Sequence, residues 1–217
     1  MKDIRHGHPL IRPLYGFLLH CNASSLEKVI LDLGAGGERP PLSIFYQHGY
    51  KTYGIEISDN EVEKALQFGK KANIELNIIK GDMRKIPFVN EVMSFVYSIN
   101  AMCLLSKKGM IITLKEIERV LRPNGLCFVN FISIDDKMYG AGREIRKGEF
   151  LLEGKMWLEE EVINSFFEDD EPDQYFTNFE IIHKEKRIIE IPRKDWQIAS
   201  IDYIVKKRPH GDYNGKT

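Results

Sequence analysis

The chain has 217 residues, 43% of them hydrophobic and 29% charged, the balance of a water-soluble protein large enough for one well-formed core. Its 31 basic and 32 acidic residues leave a formal net charge of -1, which excludes a global pull toward nucleic acid or an anionic membrane. Cys21, Cys103 and Cys127 lie far apart with no CxxC pair, so neither a zinc site nor a disulfide framework is indicated. Buried, reduced thiols in a cytoplasmic protein are expected, with no metal. The opening MKDIRHGHPLIRP lacks the apolar stretch of a secretory signal, and no apolar run has the length to cross a bilayer.

Apolar β-branched runs alternate with amphipathic stretches along the first two thirds of the chain. Residues 1–27 are expected to form an N-terminal arm or lid. Val29–Leu33 reads as a buried strand that ends in a glycine cluster, and Pro41–His48 as a helix with prolines in its first turn. Thr52–Glu56 is a second strand. Asp59 is placed to cap a helix whose apolar face carries Val62, Ala65, Leu66 and Phe68. Leu76–Ile79 and Val92–Ser98 follow as strands, and Lys108–Leu121 as a helix halted by Arg122-Pro123-Asn124-Gly125. Leu126–Ser133 is a fifth strand. This alternation predicts a doubly wound α/β domain over residues 28–208, with a mostly parallel sheet.

After Ser133 the rhythm changes. Asp135–Gly154 reads as an irregular insertion, extending to about residue 157 as a substrate lid, and Leu158–Phe167 as a helix. Phe179–Ile191 and Trp196–Lys206 read as long antiparallel strands joined near 192–195, with a disordered tail over 209–217.

In such sheets ligands bind outside the carboxyl ends of the strands. Asp32, Glu56 and Asp82 fall at three such ends, and Gly34, Gly36 and Gly37 follow the first. Glu56 is placed to accept from two ribose hydroxyls. Asp82 is placed to accept from an adenine amino group, with Met83 beside the ring. Asp32 and Glu38 flank the position where a dinucleotide would set its pyrophosphate on a helix N-terminus. Carboxylates there repel phosphate but suit a ligand bearing a sulfonium and an ammonium. A phosphate-binding P-loop is absent.

The segments VILDLGAGGERPP, YGIEIS, GDMRKIPF, FVYSINAMCLL and LKEIERVLRPNGLCFVNFIS resemble the successive motifs of class I, seven-stranded S-adenosylmethionine-dependent methyltransferases. They stand in the family's order from about Lys28 to Ser133. The resemblance implies a Rossmann-like methyltransferase fold with S-adenosylmethionine as cofactor and S-adenosylhomocysteine as product. It places Asp32, Gly34 and Gly36 at the methionine part, Glu56 and Ile57 at the ribose and adenine, Asp82 and Met83 at adenine, and Ser98 with Asn100 beside the sulfonium. Two departures stand out. Glu38 takes the place of the family's third loop glycine, where Gly37 is the available substitute, and the second-strand acid is Glu rather than the commoner Asp.

No catalytic motif stands out, and the fourth strand lacks the Asn/Asp-Pro-Pro-Tyr signature of amino methylation. Tyr15, Phe17, Asp135, Tyr139 and Arg143 are candidates for an acceptor pocket; packing or a solvated surface is the alternative for each. His6, His8 and His48 read as surface or packing residues. A small-molecule acceptor is the first expectation. RNA or protein is the second, with Lys184, Lys186, Arg187, Arg193 and Lys194 as the candidate basic patch. A non-catalytic S-adenosylmethionine-binding protein is the third reading, and a nicotinamide dehydrogenase the fourth.

Overall fold

The computed structural model describes residues 11–152, 162–191 and 196–209. Ten strands and four α-helices make up these segments: α1 (Pro13–Ala23), β1 (Val29–Leu33), α2 (Leu42–Gln47), β2 (Lys51–Glu56), α3 (Asp59–Ala72), β3 (Ile78–Lys80), β4 (Met93–Ser98), α4 (Lys107–Val120), β5 (Leu121–Ser133), β6 (Arg143–Arg146), β7 (Glu149–Leu152), β8 (Val162–Phe167), β9 (Phe179–Ile191) and β10 (Trp196–Lys207).

The main sheet runs β3-β2-β1-β4-β5-β10-β9, with β1 to β5 mutually parallel and β10 antiparallel to both of its neighbours. This is the expected doubly wound sheet with an antiparallel C-terminal pair. β1 is buried along its whole length because helices cover both of its faces. Leu31, Leu33, Val96 and Val129 pack toward α4, while Ile30, Phe95, Tyr97 and Phe128 pack toward α1 and α2. The cysteines Cys21, Cys103 and Cys127 are buried free thiols.

Three expectations are corrected. Residues 162–167 are strand β8, not the end of a helix. The spacing of Val162, Ile163, Phe166 and Phe167 mimics a helical face, but β-branched and aromatic residues pair well in a sheet, and β5 and β7 offer edges. The stretch expected to be irregular contains the hairpin β6–β7, which pairs with β8. Ser58, rather than Asp59, caps α3: it is extended, and its hydroxyl accepts from Glu61 N at 3.4 Å. Residues 153–161, including the start of the expected helix, lie outside the described residues, as do 192–195 and the tail from 210.

α1 lies within the part of the chain expected as an arm, and it is a packed element. Leu14, Phe17, Leu18 and Cys21 are buried, and the Phe17 ring meets Phe45 and Phe128 at 6.1 and 5.9 Å. Phe17 is therefore a core residue and no part of an acceptor pocket. Tyr15 points away, 43% exposed.

Candidate functional site

The carboxyl ends of β1, β2 and β4 meet in a set of interlocked turns. Gly34 has a φ of +99°, and its amide and that of Ala35 both donate to Ile55 O, at 2.9 and 3.1 Å. A Cβ on Gly34 would stand 2.4 Å from Ala101 Cβ, and one on Gly36 would stand 2.6 Å from Glu61 Cβ. No side chain fits at either place, so the loop lies pressed between α3 and the turn after β4. The next residue, Gly37, is also left-handed and donates to Glu61 O at 3.0 Å. Glu38 is exposed, outside that interlock.

Glu56 ends β2 half-buried, and its carboxylate joins two elements. Oε2 accepts from Gly36 N at 3.3 Å and Oε1 from Ser58 N at 3.0 Å. Asp32 behaves differently. It is 1% exposed, on the sheet face of Ile30 and Tyr97, and lies behind the glycine turn rather than on an open surface. Tyr97 Oη donates to its Oδ2 at 2.6 Å, while Oδ1 has no hydrogen-bond partner among the described residues. Burial pushes its carboxyl up to about 8, with the Glu56 charge adding to the effect. The three strand-end acids thus do not share one open surface.

Asp82 is turned onto its neighbour. It accepts from Arg84 Nε and Nη2 at 3.0 and 2.6 Å and from Arg84 N at 2.8 Å, and these bonds hold its carboxyl below the usual range. Met83 is half-buried and Ile57 is 61% exposed. Ser98 is buried, its hydroxyl spent on Leu33 O at 2.9 Å, so it straps β4 to β1. Asn100 is exposed and left-handed, with a φ of +55°. Sequence reasoning passed over two residues that shape this edge, Tyr97 and Asn130. Their signal was a polar group inside an otherwise apolar strand.

Beyond Ser98, β5 continues past the end of β4, and β8 pairs with it only at Ile132 and Ser133. The β6–β8 sheet is anchored beside that extension. Lys107 N donates to Glu149 Oε1, Ser165 Oγ donates to Leu105 O, and the rings of Tyr139, Phe150 and Phe166 meet at 5.4 to 5.7 Å. Arg143 is exposed on β6. Asp135 is exposed and ion-paired with Lys186, whereas Asp136 is buried and accepts from Met138 N and Ala199 N. His48 is exposed at the end of α2; His6 and His8 lie outside the described residues.

The candidate basic patch is neutralised where it is described. Lys184 pairs with Asp170 and Asp173, Lys186 with Asp135 and Asp169, and Arg187 with Asp202. Arg193 and Lys194 lie outside the described residues. Among the described residues no helix is long and apolar enough to cross a membrane.

A methyltransferase domain family matches residues 31–129, the span of the glycine turn and all the strand ends just described. The solved structure of an S-adenosylmethionine-dependent methyltransferase from Methanosarcina mazei superposes with a TM-score of 0.72 at 21% identity, covering 88% of this chain and 97% of that one. The 1,6-didemethyltoxoflavin-N1-methyltransferase of Burkholderia thailandensis, solved with S-adenosylhomocysteine, superposes at 0.66 and 12% identity, over 96% and 82% of the two chains. Residues 31–129 thus match a methyltransferase domain, and the chain has the fold of S-adenosylmethionine-dependent methyltransferases. Among curated relatives, the sterol 24-C-methyltransferase of Saccharomyces cerevisiae is 30% identical over 127 residues, 58% of this chain and 33% of that protein. The 24-methylenesterol C-methyltransferase 3 of Arabidopsis thaliana is 31% identical over 120 residues, 54% and 33% of the two chains. This chain thus spans about a third of the length of those relatives.

Proposed function

We propose that the carboxyl edge of β1, β2 and β4 binds S-adenosylmethionine and that the chain transfers its methyl group to a small molecule. One observation carries the cofactor reading: the methyltransferase-domain match over residues 31–129 covers the glycine turn and the Glu56 carboxylate that accepts from the Gly36 amide. In a dinucleotide site too an acid at the end of β2 meets the ribose, so Glu56 marks an adenosine-bearing ligand and the methyltransferase-domain match selects its kind. A phosphate-free cofactor with cationic groups fits. The half-buried Glu56 keeps lone pairs for a ribose diol.

In this reading Gly34 and Gly36 face the methionine part of the cofactor. Glu56 and Ile57 serve the ribose and adenine, and Asp82 with Met83 serves the adenine. Asn100 stands beside the sulfonium. Asp32 and Ser98 act from behind, as supports of the two turns. When bound, the cofactor supplies an electrophilic methyl on sulfur. The protein's part is to orient the acceptor in line with that methyl and to exclude water. The β6–β8 sheet, beside the end of β4, supplies a wall for that purpose.

A small acceptor is favoured over RNA because Lys184, Lys186 and Arg187 are each matched by aspartates. The three buried thiols suit a reducing cytoplasm. The test is conversion of S-adenosylmethionine to S-adenosylhomocysteine with a panel of small polar acceptors, a sterol and RNA. Turnover that depends on a small molecule supports the reading. Binding of NAD in preference to S-adenosylhomocysteine contradicts it.

A further inference from the structure

Asn100 is where the chain leaves β4, and its backbone is left-handed at a φ of +55°. Asparagine enters that region more readily than other non-glycine residues, and here a neighbouring side chain holds it there. Asn100 N donates to Asn130 Oδ1 at 2.8 Å, and Asn130 Nδ2 donates to Asn100 Oδ1 at 2.7 Å. Both polar atoms of Asn130 therefore serve a single residue just past the end of the neighbouring strand.

Asn130 itself is 3% exposed, between the fully buried Val129 and Phe131. Phe128, two residues earlier on the same face of β5, packs in the core. An apolar side chain would suit position 130 as far as packing is concerned, and a buried amide is tolerable only with its partners in place. The residue after Asn100 is Ala101, whose Cβ sits where any side chain on Gly34 would stand. The conformation of Asn100 thus sets how closely the turn after β4 approaches the glycine turn after β1.

We propose that Asn130 is a positioning residue of the methyl-transfer site: it locks Asn100 in the left-handed conformation that seats the β4 turn against Gly34. This rests on the cofactor reading given above. A lock on backbone conformation makes a specific demand, because glycine at position 100 adopts the same conformation unaided and removes the need for it.

The experiment is a calorimetric titration with S-adenosylhomocysteine of the wild-type chain, Asn130→Leu, Asn100→Gly and the double variant, with a thermal melt of each. Asn130→Leu is nearly isosteric and keeps the core filled. It should bind about tenfold more weakly, the loss of one or two hydrogen bonds that hold a binding turn. In the Asn100→Gly background the same substitution should cost less than about twofold, the signature of two residues acting as one unit. The melting temperature of Asn130→Leu should match or exceed that of the wild type. Asn130→Ala serves as a second variant, with the same pattern of affinities expected.

If Asn130→Leu binds like the wild type, or loses the same factor in both backgrounds, the inference falls. So it does if affinity drops only in step with melting temperature, which is what a purely structural role predicts. A wild-type chain that binds no S-adenosylhomocysteine overturns the cofactor reading, and the inference with it.

Discussion

Two regions meet along β5 and are held together in different ways. At the ends of β1, β2 and β4 the constraints lie in the backbone. Gly34 and Asn100 are left-handed, two amides share Ile55 O, and the glycines have no room for a side chain. In the β6–β8 sheet Gly142 and Gly148 are left-handed and hemmed in likewise, but side chains tie the sheet to the rest of the molecule: Glu149 on Lys107 N, Lys107 on Glu171, and three aromatic rings edge to face. The first region cannot change a residue without moving the chain. The second can exchange side chains while its hairpin persists.

The comparison breaks first at Gly34. Gly34→Val sets a β-branched side chain at a φ of +99° and against Ala101. The strained backbone alone costs about 1–3 kcal/mol. The melt should fall steeply, and calorimetry should detect no S-adenosylhomocysteine binding.

Asp32 is the next test, and its sign is fixed by burial. Its carboxyl lies at about 8 in the folded chain against an ordinary 3.8, so the folded protein holds a proton that the unfolded chain releases. The stability tied to Asp32 is complete below about pH 4 and is lost as pH rises through about 8. In urea unfolding, Asp32→Asn should therefore gain on the wild type progressively across that window. Parallel pH profiles would show that the acid is not buried as described.

Glu56→Gln removes the charge and keeps the shape. Hydrogen bonds to a charged group are worth about 1.5–3 kcal/mol, so S-adenosylhomocysteine affinity should drop about 10- to 100-fold, with a modest fall in the melt because the amide nitrogen cannot accept from the second of Gly36 N and Ser58 N. The smallest effect on the cofactor is expected in the other region. Glu149→Ala strips a 3% exposed carboxylate from Lys107 N and Arg146, costing about 1–3 kcal/mol of stability in a denaturant melt. Its cofactor affinity should stay within about twofold of the wild type, because the two regions are separately built.

The sequence made the backbone-governed region legible and left the other largely hidden. Val29–Leu33 with its glycines, Glu56 at a strand end and the halt after α4 are local signals that survive without tertiary knowledge. The long pair β9 and β10 was readable for the same reason. What local signals could not carry was direction. Asp32 counted as a third acid of the cleft, yet alternation along β1 turns it to the α1 side, where Tyr97 meets it. Asp82 looked free, but Arg84 two residues on is its partner. β8 failed for a different reason: its apolar spacing suits either period, and only the extension of β5 beyond β4 decides in favour of a strand. Asn130 was inside a stretch already read as strand, where one buried amide is inconspicuous until its partner is known.

The central claim is that the carboxyl edge of β1, β2 and β4 takes S-adenosylmethionine, with Glu56 at its ribose. Calorimetric titration of the wild-type chain and Glu56→Gln with S-adenosylhomocysteine and with NAD tests it most directly. The account predicts one molecule of S-adenosylhomocysteine per chain, weakened by the substitution, and no heat from NAD. Saturable binding of NAD, with none of S-adenosylhomocysteine, would contradict it.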